Sequence, residues 1–149
     1  MTTDPAPNAT MEKFGYPETL VKIYDHWVVQ LRPAQVTPGS LVVVCREPVT
    51  AFGDAGPAAC GELAAVARDV EACLRDLWSW DRINWLMLMM VDPDVHFHVI
   101  PRYATARLLG DREMTDGGWP GPPDLAAAIG LDGPLRDRMV ALLKDNWPG

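Results

Sequence analysis

The apolar positions of this chain fall into short strand-like runs separated by one long stretch with helical spacing. Residues 21–31, VKIYDHWVVQL, are rich in β-branched and aromatic side chains and predict a strand. RPAQVTPGS follows as a turn, with Pro33, Pro38 and Gly39 as breakers. Residues 40–46, SLVVVCR, are nearly all apolar and predict a second strand buried on both faces. EPVTAFGDAGP reads as a loop. From 57 to 78, Leu63, Val66, Val70, Cys73, Leu74 and Leu77 recur at helical spacing, with charges between them and Pro57 suited to the first turn. Residues 83–91 predict a third strand, Asp92-Pro93 a tight turn, and 95–102 a fourth strand. The segment DREMTDGGWPGPPD is Gly/Pro-rich and irregular, and 134–146 predict a final amphipathic helix. No internal repeat is visible. The order predicts an α+β fold: an antiparallel meander sheet packed against one long helix, with a second helix at the C-terminus.

Length and composition narrow the picture. The 149 residues fit one domain, read as 13–149 behind a polar, Pro-containing flexible tail at 1–12. Apolar residues are 48% of the chain, enough for a core. The net charge of −7 argues against general nucleic-acid binding, which needs a basic face, but not against one small phosphorylated ligand. Cys45, Cys60 and Cys73 are odd in number and lack C-x-x-C spacing, so they read as small buried hydrophobes in a reducing cytoplasm. The N-terminus shows no secretory signal, and the longest apolar run, 85–91, is too short to span a bilayer. A soluble cytoplasmic protein is expected, without membrane or nucleic-acid partners.

The chemistry concentrates in Asp94-Val95-His96-Phe97-His98-Val99-Ile100-Pro101-Arg102, which holds two of the three histidines. On a strand, alternation places Asp94, His96 and His98 on one face and Val95, Phe97 and Val99 on the other, against the long helix. A row of ionisable groups beside a core is costly unless partnered. Three readings compete for that row. It is a pair of satisfied structural histidines, or a metal site, or an imidazole nucleophile oriented through its second nitrogen. Metal binding by the whole row is disfavoured, because Asp94 and His98 lie roughly 13 Å apart on a strand.

HFHVIPR resembles the signature of the histidine-triad (HIT) superfamily, His-φ-His-φ-His-φ-φ commonly followed by Pro-Arg, at its second and third histidines, its φ positions and its Pro-Arg tail. TPGSLVVVCREPV, the helix from Pro57 and INWLMLMM follow the family's order of elements, so the resemblance spans roughly 24–103. It implies a HIT-like fold and a nucleotide hydrolase or nucleotidyl transferase. His96 would attack an α-phosphorus to form a covalent nucleotidyl-histidine, and His98 would contact the phosphate and stabilise charge. Dinucleoside polyphosphates and nucleoside phosphoramidates are the implied substrate classes. A homodimer is implied, with no cofactor and no metal. Gln30 and Arg32 lie where the family's early strand approaches ribose and base, and Arg102 is a candidate phosphate ligand. Asp94 is expected at the substrate as well.

The departures matter too. Asp94 stands where the first triad histidine would be, and an ionised carboxylate cannot donate to a phosphate. MMVDPD replaces the family's glycine- and glutamine-containing loop, and Ser40 replaces a histidine often found after the Pro-Gly turn. These motivate an alternative: a nucleotide-binding module of the same fold with weak catalysis. His26 and Asn84 are lesser candidates, read first as a strand histidine and a turn cap. Trp78, Trp80 and Trp85 read as packing, Trp119 and Trp147 as C-terminal residues able to reach a partner's site, and Met87, Met89 and Met90 as strand filler.

Overall fold

The computed structural model describes residues 6–149. Its main sheet is built from β1 (Leu20–Ile23), β2 (Trp27–Leu31), β4 (Leu41–Cys45), β5 (Arg82–Leu86) and β6 (His96–Arg102). They lie in the order β1-β2-β4-β6-β5, every neighbouring pair antiparallel. β2 and β4 are buried at every position, as befits central strands covered on both sides; β4 is apolar throughout and β2 is apolar except at Gln30. A two-residue strand β3 (Ala34–Gln35) pairs with β9 (Ile129–Gly130), and β7 (Arg107–Leu109) pairs with β8 (Arg112–Met114).

The long helix α2 (Pro57–Trp78) has the predicted limits. Gly56 precedes it, Pro57 opens it, and Ser79 closes it in the left-handed region at φ 51°. Val66, Val70, Cys73, Leu74 and Trp78 bury one face of α2 in a core shared with Val29, Leu31, Val43, Cys45 and Val99. The C-terminal helix α3 (Gly133–Asp145), capped by the Asp132 carboxylate, adds Met139, Val140 and Leu143 to the same core. Gly39, at φ +92°, lets the turn before β4 lie against the Trp78 ring, where a Cβ would stand 3.0 Å from it.

Five sequence expectations need correction. The strand over 21–31 is a hairpin, broken at Tyr24–His26, where Tyr24 N–H donates to the Trp27 carbonyl at 2.7 Å. The strand over 83–91 stops at Leu86, its last pairing with β6. Met89 adopts φ +54°, and Leu88, Met90 and Val91 are exposed. The irregular region after Tyr103 contains β7, β8 and β9. The tail expected over 1–12 is helical at its end: α1 (Ala9–Lys13) is capped by the Asn8 side chain and buries Met11. Residues 1–5 lie outside the described residues. Cys45 and Cys73 are buried as expected, but Cys60 is exposed.

α1 gives the sheet its second buried face. Met11 and Phe14 pack on Val28, Val42 and Val44, on the side opposite α2. That is also the face on which the two histidines of β6 lie.

Candidate active site

Alternation along β6 aims His96, His98, Ile100 and Arg102 to one side, away from α2. Across the sheet, His96 is opposite Val44, and His98 lies between Val42 and Leu86. Gln30 faces Val42 from the other side, so Gln30, Val42, His98 and Leu86 form one row. The imidazoles meet edge to face, with centroids 5.1 Å apart at 78°.

Hydrogen bonds give the two rings opposite tautomers. His96 Nδ1 lies 2.6 Å from the Asp94 carbonyl, which only accepts, so Nδ1 carries a proton and Nε2 of the neutral ring keeps its lone pair. His98 Nδ1 accepts from Arg32 Nε–H at 3.4 Å, which puts the proton of the neutral His98 ring on Nε2. Burial, with help from the Arg32 charge and His96, pushes His98 down to about 4, so it is neutral at pH 7. The pair therefore offers one nucleophilic nitrogen and one N–H donor side by side.

Asp94 does not join the row, contrary to expectation. It precedes β6, and its carboxylate accepts from the Thr10 backbone N–H at 3.1 Å and the Thr10 hydroxyl at 2.8 Å. Only its backbone carbonyl serves His96. The carboxylate thus fastens the first turn of α1 to the strand. The Phe14 ring then lies over both imidazoles, 6.0 Å from His96 and 5.6 Å from His98 by centroid. His96 is 2% exposed and His98 8%.

The remaining predicted site residues divide. Arg32 is beside His98, and its Nη1 also donates to the Ala34 carbonyl; burial pushes its pKa down. Gln30 is fully buried. Its amide N–H group serves the Met11 carbonyl at 3.0 Å and Thr19 Oγ1 at 3.0 Å, while its Oε1 has no partner. Arg102, at the far end of β6, is engaged in a buried ion pair: Nε and Nη2 donate to the Asp116 carboxylate at 2.7 and 3.1 Å, and Nη1 donates to Asn84 Oδ1 at 2.9 Å. With its donors so engaged, Arg102 fastens the loop after β8 rather than facing the imidazoles. Trp119 in that loop lines a cavity with Arg82, Asn84 and Arg102. His26 sits in the β1–β2 turn and Trp147 donates to the Tyr24 hydroxyl, both apart from the pair. Among the described residues no three His, Cys, Asp or Glu side chains are grouped to hold a metal. No described helix is long and apolar enough to cross a membrane.

Sequence reasoning missed Asn8, Thr10, Phe14 and Asp116. An Asn cap ahead of Met11 and Phe14 was a usable signal for the first three. Nothing local marks Asp116 as the partner of Arg102.

The architecture matches solved structures closely. A histidine triad (HIT) protein from Sinorhizobium meliloti superposes with a TM-score of 0.74 at 20% identity, covering 98% of this chain and 99% of that one. The chain has the histidine-triad fold. A histidine triad protein from Bradyrhizobium japonicum gives a TM-score of 0.71 at 16% identity over 98% of this chain and 100% of that one. A hypothetical histidine triad nucleotide-binding protein from Sulfolobus tokodaii gives 0.65 at 16% identity over 86% and 82%. No family model and no curated protein sequence matches the chain. Within the histidine-triad fold, the HFHVIPR run occupies the inner strand β6, and the position ahead of the two histidines is spent on α1.

Proposed function

We propose that this protein is a nucleotide hydrolase or nucleotidyl transferase acting through His96. The observation that carries the reading is the pair of opposite tautomers. His96 Nε2 presents a lone pair while His98 Nε2–H, 5.1 Å away by ring centroid, presents a donor. In the reaction His96 Nε2 forms a bond to the α-phosphorus as the bond to the leaving oxygen or nitrogen breaks. His98 Nε2–H donates to a non-bridging oxygen, where negative charge grows. Water then adds to phosphorus as the P–Nε2 bond breaks, releasing the nucleotide and a proton. Arg32, adjacent to His98, is the cation on hand for the phosphate chain. Dinucleoside polyphosphates and nucleoside phosphoramidates are the substrate classes proposed. The likeness in fold to the hypothetical histidine triad nucleotide-binding protein of Sulfolobus tokodaii supports a nucleotide ligand.

A second reading, a nucleotide-binding module with slow chemistry, is favoured by the 2% exposure of His96 and by the engagement of Asp94 with Thr10. A homodimer belongs to the proposal, supported by the outer edge of β5, which pairs with no strand among the described residues, and by the exposed Leu88, Met90 and Val91 that follow it. A reducing cytoplasmic setting is supported by the three unpaired cysteines.

The test incubates the purified protein with labelled diadenosine polyphosphate, adenosine phosphoramidate and a nucleoside diphosphate sugar. Product and acid-labile label on the protein are followed beside a folded His96→Ala variant. Label and product lost only in the variant are expected. Full activity in His96→Ala overturns the mechanism, and saturable binding with no turnover selects the binding module.

A further inference from the structure

We propose that α1 is a removable cover over the imidazole pair, latched by Asp94, so that the pair works only after residues 8–14 lift away from the sheet. The inference takes the histidine pair as the site, as above, but concerns access to it rather than its chemistry.

The observations converge on one short segment. Phe14 lies against both rings, which are 2% and 8% exposed, and direct attack on phosphorus requires the reacting atoms to approach about 3–3.5 Å. A tetrahedral phosphate has no such approach to His96 while the cover is down. Polar fastenings hold both its ends. Thr10 donates twice to the Asp94 carboxylate, and Asn8 Nδ2 donates to the Cys45 carbonyl at 3.2 Å. Lys13 pairs with Asp92 at 3.1 Å on the surface. Further along, the buried Gln30 amide donates to the Met11 carbonyl with its Oε1 unpartnered, the Thr19 hydroxyl donates to the Phe14 carbonyl at 2.7 Å, and Met11 and Phe14 bury against Val28, Val42 and Val44. Five helical residues have no stability of their own in water. α1 persists only through these contacts, and lifting it would uncover Val28, Val42 and Val44 while α2 still covers the other face of the sheet. A short element docked on a sheet that keeps α2 can open locally, without global unfolding. Asp94, placed between α1 and the Asp94 carbonyl–His96 bond, is a positioning residue: it holds the cover with its side chain and the nucleophile with its backbone.

The experiment measures diethyl pyrocarbonate modification of each histidine by mass spectrometry, on the full chain, without any nucleotide. His26, half-buried in the β1–β2 turn, is the internal reference. In the wild type His96 and His98 should react far more slowly than His26. Asp94→Ala removes the charged acceptor of two hydrogen bonds and should speed both by about tenfold or more, with His26 unchanged. Lys13→Ser, an exposed change that leaves the core intact, should speed them a few-fold. Urea unfolding of each variant separates local from global opening. The proposal is overturned if His96 and His98 match His26 in the wild type. It is also overturned if their rates in the variants rise only in proportion to the loss of global stability. Turnover is not part of the readout, so the cover can fail with the phosphoryl chemistry intact, and the chemistry can fail with the cover intact.

Discussion

Replacing Asp116 with alanine should be among the most damaging single changes in the molecule outside its apolar core. The Arg102 and Asp116 side chains are 5% and 1% exposed, and two guanidinium nitrogens donate to the two carboxylate oxygens at 2.7 and 3.1 Å. The same carboxylate accepts from the Tyr103 backbone N–H at 3.2 Å and the Gly118 N–H at 3.3 Å. Asp116→Ala leaves a buried guanidinium facing only Asn84 Oδ1, and two amides without acceptors. Removing one partner of a buried pair costs about 3–5 kcal/mol. For a chain of this length that corresponds to a fall in Tm of roughly 6–20 °C. Scanning calorimetry and urea titration measure it directly. Arg102→Met in the Asp116→Ala background should recover part of the loss, because the uncompensated charge is then gone. A loss below about 1 kcal/mol for Asp116→Ala would refute the reasoning, since it would mean that water reaches the guanidinium.

Three further outcomes are expected. His98, pushed down to about 4 by burial, binds its proton less readily in the fold than in the unfolded chain. Stability should be complete above about pH 6.5 and decline as the pH falls toward 4. His98 ring resonances should stay flat from pH 8 to 5, and a midpoint near 6.5 would contradict the burial argument. Gly39→Ala places a Cβ 3.0 Å from the Trp78 ring and 3.1 Å from Leu74 at φ +92°, and should cost about 1–3 kcal/mol in urea unfolding; a neutral result would mean the turn readily shifts. Of the three thiols, only Cys60 is exposed, while burial raises Cys45 and pushes Cys73 up to about 11. An aromatic disulfide reagent should therefore titrate one thiol per native chain, and rapid reaction of a second would be inconsistent with the core.

The parts of the fold that were legible are those whose local signals agree with their packing. α2 was visible end to end because Pro57 marks its start and its apolar stripe is the face it buries. The β4 run was visible because a strand apolar throughout has only the middle of a sheet to occupy. Elements that exist through distant partners were not legible. The bend at Tyr24–His26 has no Gly or Pro, and is held in part by His26 N–H donating to the Glu62 carboxylate at 2.7 Å. Residues 87–91 carry a strand's composition, but the pairing of β5 with β6 ends before them. α1 is too short to announce itself by periodicity and depends on a sheet face formed later in the chain. At the site, alternation placed His96 and His98 correctly on one face. It misplaced Asp94 because the strand begins only at His96, and it could not foresee that Arg102 turns to Asp116.

The Thr10–Asp94 clasp joins positions 84 residues apart in sequence. Its consequence is that positions 10 and 94 are coupled. Histidine at 94 offers a single ring-nitrogen acceptor where one carboxylate oxygen takes two donors, so at least one of the Thr10 hydroxyl and amide would lose its partner. The two positions should vary together among descendants, and neither change should be neutral when introduced without the other.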